Sequence, residues 1–360
     1  MLHVALPAVA VRTRAARRLA KRGNPDHSRT IAAVQRRSRP IYHVTKRLSG
    51  TLLPHRAETD IPHVLIPPMK RPILPRFRFG RVLFCLGLLV PICPAQAGSA
   101  ATAWAAVSGP STDADGGQSI GTYNGGCIAG AATLPLQGPG YQVMRLSRKR
   151  YYGHPALIGF IQQLGLAAER ERLGSLLVGD LGQPRGGPTP SGHRSHQTGL
   201  DVDIWFLLLQ PAETRILSEA ERETWNAPSV VDSRADAVDR RQWTAAHARI
   251  LEAAARQPEV DRIFVNPSIK QELCNRKSAG ASDWLRKIRP WWKHDDHFHV
   301  RLKCPPHNGL CQAQEPLPAG DGCDASLAWW FSDEAKAPAK SAPQPAPPLP
   351  PQCERLLRQP

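Results

Sequence analysis

Two short segments, far apart in the chain, alternate metal-capable and apolar side chains, and this alternation restricts the fold more than any other feature of the sequence. The first is Ser191-Gly-His193-Arg-Ser-His196-Gln-Thr-Gly-Leu-Asp201-Val-Asp203-Ile-Trp-Phe. The second is Trp291-Trp-Lys-His294-Asp-Asp-His297-Phe-His299-Val-Arg-Leu. Successive side chains of a strand point to opposite faces. Asp201 and Asp203 therefore share a face against Leu200, Val202 and Ile204, and His297 and His299 share one against Phe298 and Val300. Each segment reads as a strand with an apolar back for a core and a polar front. Two such fronts side by side gather imidazoles and a carboxylate at one point. Catalytic Zn2+ accepts that donor set at ~2.0–2.2 Å while keeping a position open for water.

Charge at first points elsewhere. The chain has 47 Lys+Arg against 30 Asp+Glu and a net charge of +17, a balance that invites nucleic acid. Its distribution removes that inference, because 18 basic and only 3 acidic residues lie in the first 97, leaving 29 against 27 in the rest. No nucleic-acid partner is expected.

The basic front end reads as an export signal. Residues 69–97, MKRPILPRFRFGRVLFCLGLLVPICPAQA, run from a Met and a basic stretch through the apolar run Val82–Cys93 to Ala95-Gln96-Ala97. That order matches a secretory signal cut after Ala97. The run is too short to cross a bilayer core of ~30 Å as a helix, and Ile92 stands where lipidation of Cys93 needs a small residue. No membrane span is expected in the mature chain. Residues 1–68 are Arg-rich without an apolar period and are expected to be a non-native or disordered extension, with Met69 the start.

After the cut, six cysteines remain: Cys127, Cys274, Cys304, Cys311, Cys323 and Cys353. An even number in an exported chain argues for disulfides, and no CxxC pair suggests a thiolate metal site. Spacing alone leaves all 15 connectivities open. Residues 98–126, rich in Gly, Ser, Ala and Thr, read as a flexible lead-in, 127–334 as one domain, and 335–360 as a Pro-rich strap pinned by Cys353. Within the domain, Pro155–Leu164 and Thr244–Ala255 have helical spacing, and Leu200–Phe206, Arg262–Val265 and His297–Leu302 read as strands. A Gly/Pro/Ser loop, Leu181–Thr198, feeds the first of these strands. Strands that do not alternate regularly with helices indicate an α+β fold.

His196-x6-Asp203 followed downstream by His297-x-His299 resembles the paired signature of the LAS metallopeptidases. The longer strings SGHRSHQTGLDVDIW, YYGHP at 151–155, RIFVNPSIK at 262–270 and WLRKIRPWWKHDDHFHVRLKCP at 284–305 resemble the penicillin-insensitive murein endopeptidases of Gram-negative periplasms, from about Leu134 through Cys353. The resemblance implies a small antiparallel sheet carrying the zinc ligands, with helices and long loops around it. It implies His196, Asp203 and His299 as zinc ligands, His193 as a further ligand or close neighbour, His297 as the catalytic imidazole and His294 beside it. It implies the pairs Cys127–Cys353, Cys274–Cys323 and Cys304–Cys311. The implied activity is periplasmic hydrolysis of the D-alanyl–meso-diaminopimelyl cross-link between peptidoglycan stem peptides, insensitive to β-lactams. Some members use an Asp and a His between the two motifs for a second metal. Here Val230–Gln242 offers Asp232, Asp236 and Asp239 but no histidine, so a second metal stays unassigned.

Other catalytic signatures are weak. Gly117-Gln-Ser119-Ile-Gly121 fits GxSxG but has no strand expected before it, and neither SxxK nor HExxH occurs. His154 reads as structural. The zinc centre does not choose the bond, so a cell-wall carboxypeptidase or amidase, or an inactive zinc-dependent binding module, are the alternatives. The oligomeric state is left open.

Overall fold

The computed structural model describes residues 96–112, 116–191, 194–209, 215–277, 282–338 and 345–359. The expected extension 1–68, nearly all of the signal and His193 lie outside the described residues.

The alternation read from the sequence becomes the centre of a sheet. β6 (Asp201–Trp205) and β9 (His297–Leu302) pair antiparallel, with Asp203 opposite His299 and Asp201 opposite Arg301. Around them lie β3 (Gln137–Gly138), β4 (Tyr141–Val143), β5 (Leu176–Val178), β7 (Val260–Val265) and β8 (Ile288–Pro290). The seven strands run in the order β8-β7-β9-β6-β5-β4-β3. The chain is α+β and disulfide-stapled, as expected. The ligand-bearing pair is antiparallel, but the sheet is larger than expected and mixed: β4–β5 and β7–β8 are parallel. Each of those pairs is joined through a helix, the connection that parallel neighbours require. α2 (Pro155–Arg170) links β4 to β5, and α4 (Pro267–Asn275) links β7 to β8.

The apolar backs of β6 and β9 build the main core. Val202, Ile204, Phe298 and Val300 are fully buried there with Leu157, Phe160, Ile161 and Leu164 of α2. α3 (Ala245–Arg256) adds Ile250, Leu251 and Ala254 to the same core. α2 continues a turn and a half beyond the expected Leu164, with Gly165 and Ala168 still on its buried face. His154 is structural, as expected: its Nδ1 accepts from Ala156 N–H at 3.0 Å, capping α2, and its Nε2 lies 3.1 Å from Gly117 O.

The lead-in is more ordered than its composition suggests. α1 (Gln96–Ala105) is followed by the hairpin β1 (Gln118–Thr122) and β2 (Gly125–Ala129). Trp104, Ile120 and Cys127 form a second core with Cys353 and Leu356. Gly187 (φ +76) lies against the Trp104 ring, where a Cβ would come within 2.2 Å of it. The disulfides are Cys127–Cys353, Cys274–Cys323 and Cys304–Cys311. The tail docks by more than its disulfide: α5 (Pro351–Leu357) buries Leu356, and Arg185 donates to Leu356 O and Gln359 O at 2.8 and 2.7 Å. Among the described residues, no helix is long and apolar enough to cross a membrane.

Candidate metal centre

Two rungs of the β6–β9 ladder and one loop assemble the site. His196 precedes β6 in a left-handed conformation (φ +69), three residues before Gly199, which is also left-handed (φ +71). Gly199 O accepts from His154 N–H at 2.8 Å, and a Cβ on Gly199 would meet Ile128 Cδ1 at 2.6 Å. This close packing fixes where the loop delivers His196. One donor atom each from His196, Asp203 and His299 falls within 4.8 Å of the others, and all three residues are buried.

Asp203 is the centre of this group. Its Oδ2 is 3.3 Å from His196 Nε2, and its Oδ1 is 3.0 Å from His299 Nδ1 and 3.7 Å from His297 Nε2. Its ion partners among the described residues are thus all histidines. Oδ1 is fully buried, yet no donor is aligned on it. Burial works against its charge, but the imidazoles of His196 and His297 outweigh burial and hold the carboxyl well below its ordinary range. The Asp203 carboxylate in turn raises His196 despite burial. A buried anion ringed by imidazoles, with an oxygen that has no aligned donor, calls for a cation at their common point. These residues fit a metal ion with nitrogen and oxygen ligands.

A second layer orients the first. His299 Nε2 lies 2.7 Å from Asp201 Oδ1, leaving Nδ1 to face Asp203. Arg301 Nε donates to the same Asp201 oxygen at 2.7 Å, its guanidinium stacked 3.7 Å above the Tyr123 ring. Asp201 is fully buried; burial opposes its charge, yet Arg301 and His299 keep its carboxyl far below the usual range. A carboxylate behind a ligating imidazole fixes tautomer and ring orientation. Sequence reasoning placed Asp201 on this face but missed its role, and missed Arg301 altogether. The signal was present, since Arg301 continues the polar alternation of His297 and His299.

His297 stands at the rim, 22% exposed, with Nδ1 2.5 Å from Asp296 Oδ1. Burial lowers its pKa, but Asp203 and Asp296 overcome this and push it up to about 9. His294 behaves oppositely. Burial, reinforced by His297 and His299, pushes it down to about 4. Its ring centroid is 5.0 Å from that of His297 and 6.0 Å from that of His299. Lys293 and His294 are both left-handed, and Asn266 clasps them by donating to His294 O at 2.8 Å and Lys293 O at 3.2 Å. Backbone in that region is held only where its surroundings over-determine it. Beside Asp203 and His297 opens a cleft of about 200 Å³, walled also by Arg145, Arg148, Trp205 and Asn226.

The remaining expected candidates are elsewhere. Asp232 and Asp239 accept from the N–H groups of Arg234 and Arg241 in turns, and Asp236 pairs with Lys336. Ser119 of the GxSxG string is fully buried and donates to Thr198 O at 2.8 Å, so it presents no nucleophile.

Residues 119–358 match the family model of the penicillin-insensitive murein endopeptidases. Proteins named penicillin-insensitive murein endopeptidase are close relatives. That of Haemophilus influenzae is 44% identical over 71% of this chain and 88% of its own length. Those of Salmonella paratyphi C and Salmonella typhi are each 46% identical over 73% of this chain and 93% of theirs. The matched span contains the hairpin, the seven-stranded sheet, the metal centre and all three disulfides, and the chain is therefore an enzyme belonging to the penicillin-insensitive murein endopeptidase family.

Proposed function

We propose that this chain is an exported, zinc-dependent endopeptidase that hydrolyses the D-alanyl–meso-diaminopimelyl cross-link of peptidoglycan in the periplasm. The observation that carries the reading is the convergence of His196, Asp203 and His299 on one buried point, backed by Asp201 and Arg301. His193, outside the described residues, is a further ligand or a close neighbour. A zinc ion held by these residues supplies a Lewis acid for the scissile carbonyl and acidifies water towards a pKa of ~7.

The chain's own groups supply the rest. His297 faces the cleft and moves the proton at Nε2, while Asp296 holds its Nδ1 and fixes the ring. His294, kept neutral with its Nδ1–H donated to Trp292 O at 3.0 Å, presents the unprotonated Nε2 beside it as a proton acceptor. Asp201 and Arg301 hold His299 in one orientation throughout. Family membership supports murein as the substrate. This reaction uses no serine nucleophile for a β-lactam to acylate, and activity should persist in the presence of β-lactams.

Digestion of purified muropeptides, with and without a chelator, tests this directly. The reading requires cross-linked dimers to become monomers, and chelation to stop the reaction. Shortened stems without loss of dimers would indicate a carboxypeptidase, and unchanged muropeptides an inactive binding module.

A further inference from the structure

A line of aromatic rings leads out of the metal centre onto the surface. The His299 ring meets Phe264 of β7 at 5.5 Å between centroids, and Phe264 meets Trp291 at 5.9 Å. Trp330 continues the line, 6.2 Å from Trp291, 5.4 Å from Trp292 and 5.5 Å from Trp329. Trp291, Trp292 and Trp329 are 55%, 39% and 47% exposed, which places three of the seven exposed large apolar side chains among the described residues in this one patch. Such clustering, joined through Phe264 to the His299 ring, marks a binding surface rather than scattered surface hydrophobes. The main core holds none of the four indoles.

The geometry selects the occupant. Trp330 is a half-buried hub that meets each of the other three indoles at tilts of 53°, 63° and 80°, so the patch presents Trp291, Trp292 and Trp329 as separate faces around it, not a flat apolar plane. A flat plane suits a protein partner or a second copy. Separate faces suit a polymer of saturated rings, apolar on their C–H faces and polar at their rims. Indoles serve such contacts well because they bring large area at small entropic cost. The substrate assigned above carries such a polymer, since every murein stem peptide hangs from a chain of amino-sugar pyranoses. We propose that Trp291, Trp292, Trp329 and Trp330 form a platform that stacks on the sugar rings of the peptidoglycan glycan strand while a stem peptide occupies the metal centre. This rests on the murein reading, and it assigns the glycan subsite of that same site.

The test compares the mature chain with a Trp292→Ala/Trp329→Ala double variant on three probes: peptide-free glycan strands, intact sacculi, and sugar-free cross-linked peptide dimers. Glycan strands should quench indole fluorescence of the parent, and the variant should bind them at least about ten-fold more weakly, the loss typical of truncating anchoring tryptophans. The ratio of cleavage rates, sacculi over sugar-free dimers, should fall by a similar factor. Equal losses on both substrates, or no loss of glycan binding, would overturn the platform. A parent dimer that the variant breaks, with the substrate ratio unchanged, would assign the patch to a second copy and overturn it too. The two readings fail separately: a parent that cuts both substrates without binding glycan refutes only the platform, and one that binds glycan but cuts neither refutes only the activity.

Discussion

The two faces of the β6–β9 pair are buried almost equally and hold opposite chemistry. On the back, Val202, Ile204, Phe298 and Val300 are fully buried; on the front, Asp201, Asp203, His299 and Arg301 are at most 6% exposed. The back stabilises the fold in proportion to the apolar area it removes from water. The front removes charges from water, which costs free energy that pairing only partly returns. Burial therefore does not separate structural from functional positions here. The separation lies in what each buried group faces: the back meets other apolar side chains, whereas the Asp203 carboxylate faces His196, His297 and His299.

Adjacent residues of one strand give the strongest way to break this comparison. His299→Ala should abolish metal binding and turnover while changing the melting temperature little. Phe298→Ala should cost about 3–5 kcal/mol of stability, yet the protein that remains folded should bind metal stoichiometrically. Melting curves with metal analysis on both variants decide it, and two variants that lose metal alike would merge the faces into one structural unit.

A smaller effect on turnover is expected at the rim. His297→Ala should retain zinc and lose rate by roughly 10²–10⁴-fold, the range for removing a general acid or base. Steady-state rates alongside metal content check this, and loss of metal would move His297 from proton transfer to ligation. Weaker still, Asp201→Asn should reduce metal affinity by about 10–100-fold, as for other groups that orient a ligating imidazole. Competition with a chelator reads that affinity.

How much of this was legible follows from the same two faces. Alternation along Leu200–Phe206 and His297–Leu302 exposed both strands and separated front from back, because strand periodicity is local. What covers the front was not legible. Arg301 reaches Asp201 across the ladder, and register between distant strands is set by tertiary packing. The parallel pairs β4–β5 and β7–β8 were hidden for the same reason. The segment 98–126 read as flexible because Gly, Ser, Ala and Thr dominate its composition, yet Trp104 and Ile120 bury themselves against Cys353 and Leu356. Leu356 was passed over in turn, since Cys353 and Leu356, one turn apart on a seven-residue helix, make too short a period to read.

The tail tests the smallest effect on turnover. The Cys127–Cys353 bond spans 226 residues, and chain-entropy reasoning gives such a loop up to about 5 kcal/mol, with observed values often lower. Cys353→Ser should lower the melting temperature and speed proteolysis of 335–360. Leu356 and Arg185 should still retain the tail part of the time, and β2 keeps its own contacts with the His196 loop, so turnover should change by no more than a few-fold. Loss of metal in this variant would tie the second core to the site.

The most direct measurement is the zinc content of the purified mature chain and of its Asp203→Asn variant, with circular dichroism to establish that both are folded. Asp203 is the buried carboxylate whose ion partners are all histidines, and an amide oxygen is a far poorer ligand. The account predicts one zinc per chain in the parent, and little or none in a variant with an unchanged spectrum. Equal zinc in the two proteins would contradict the assignment of His196, Asp203 and His299 as the metal centre.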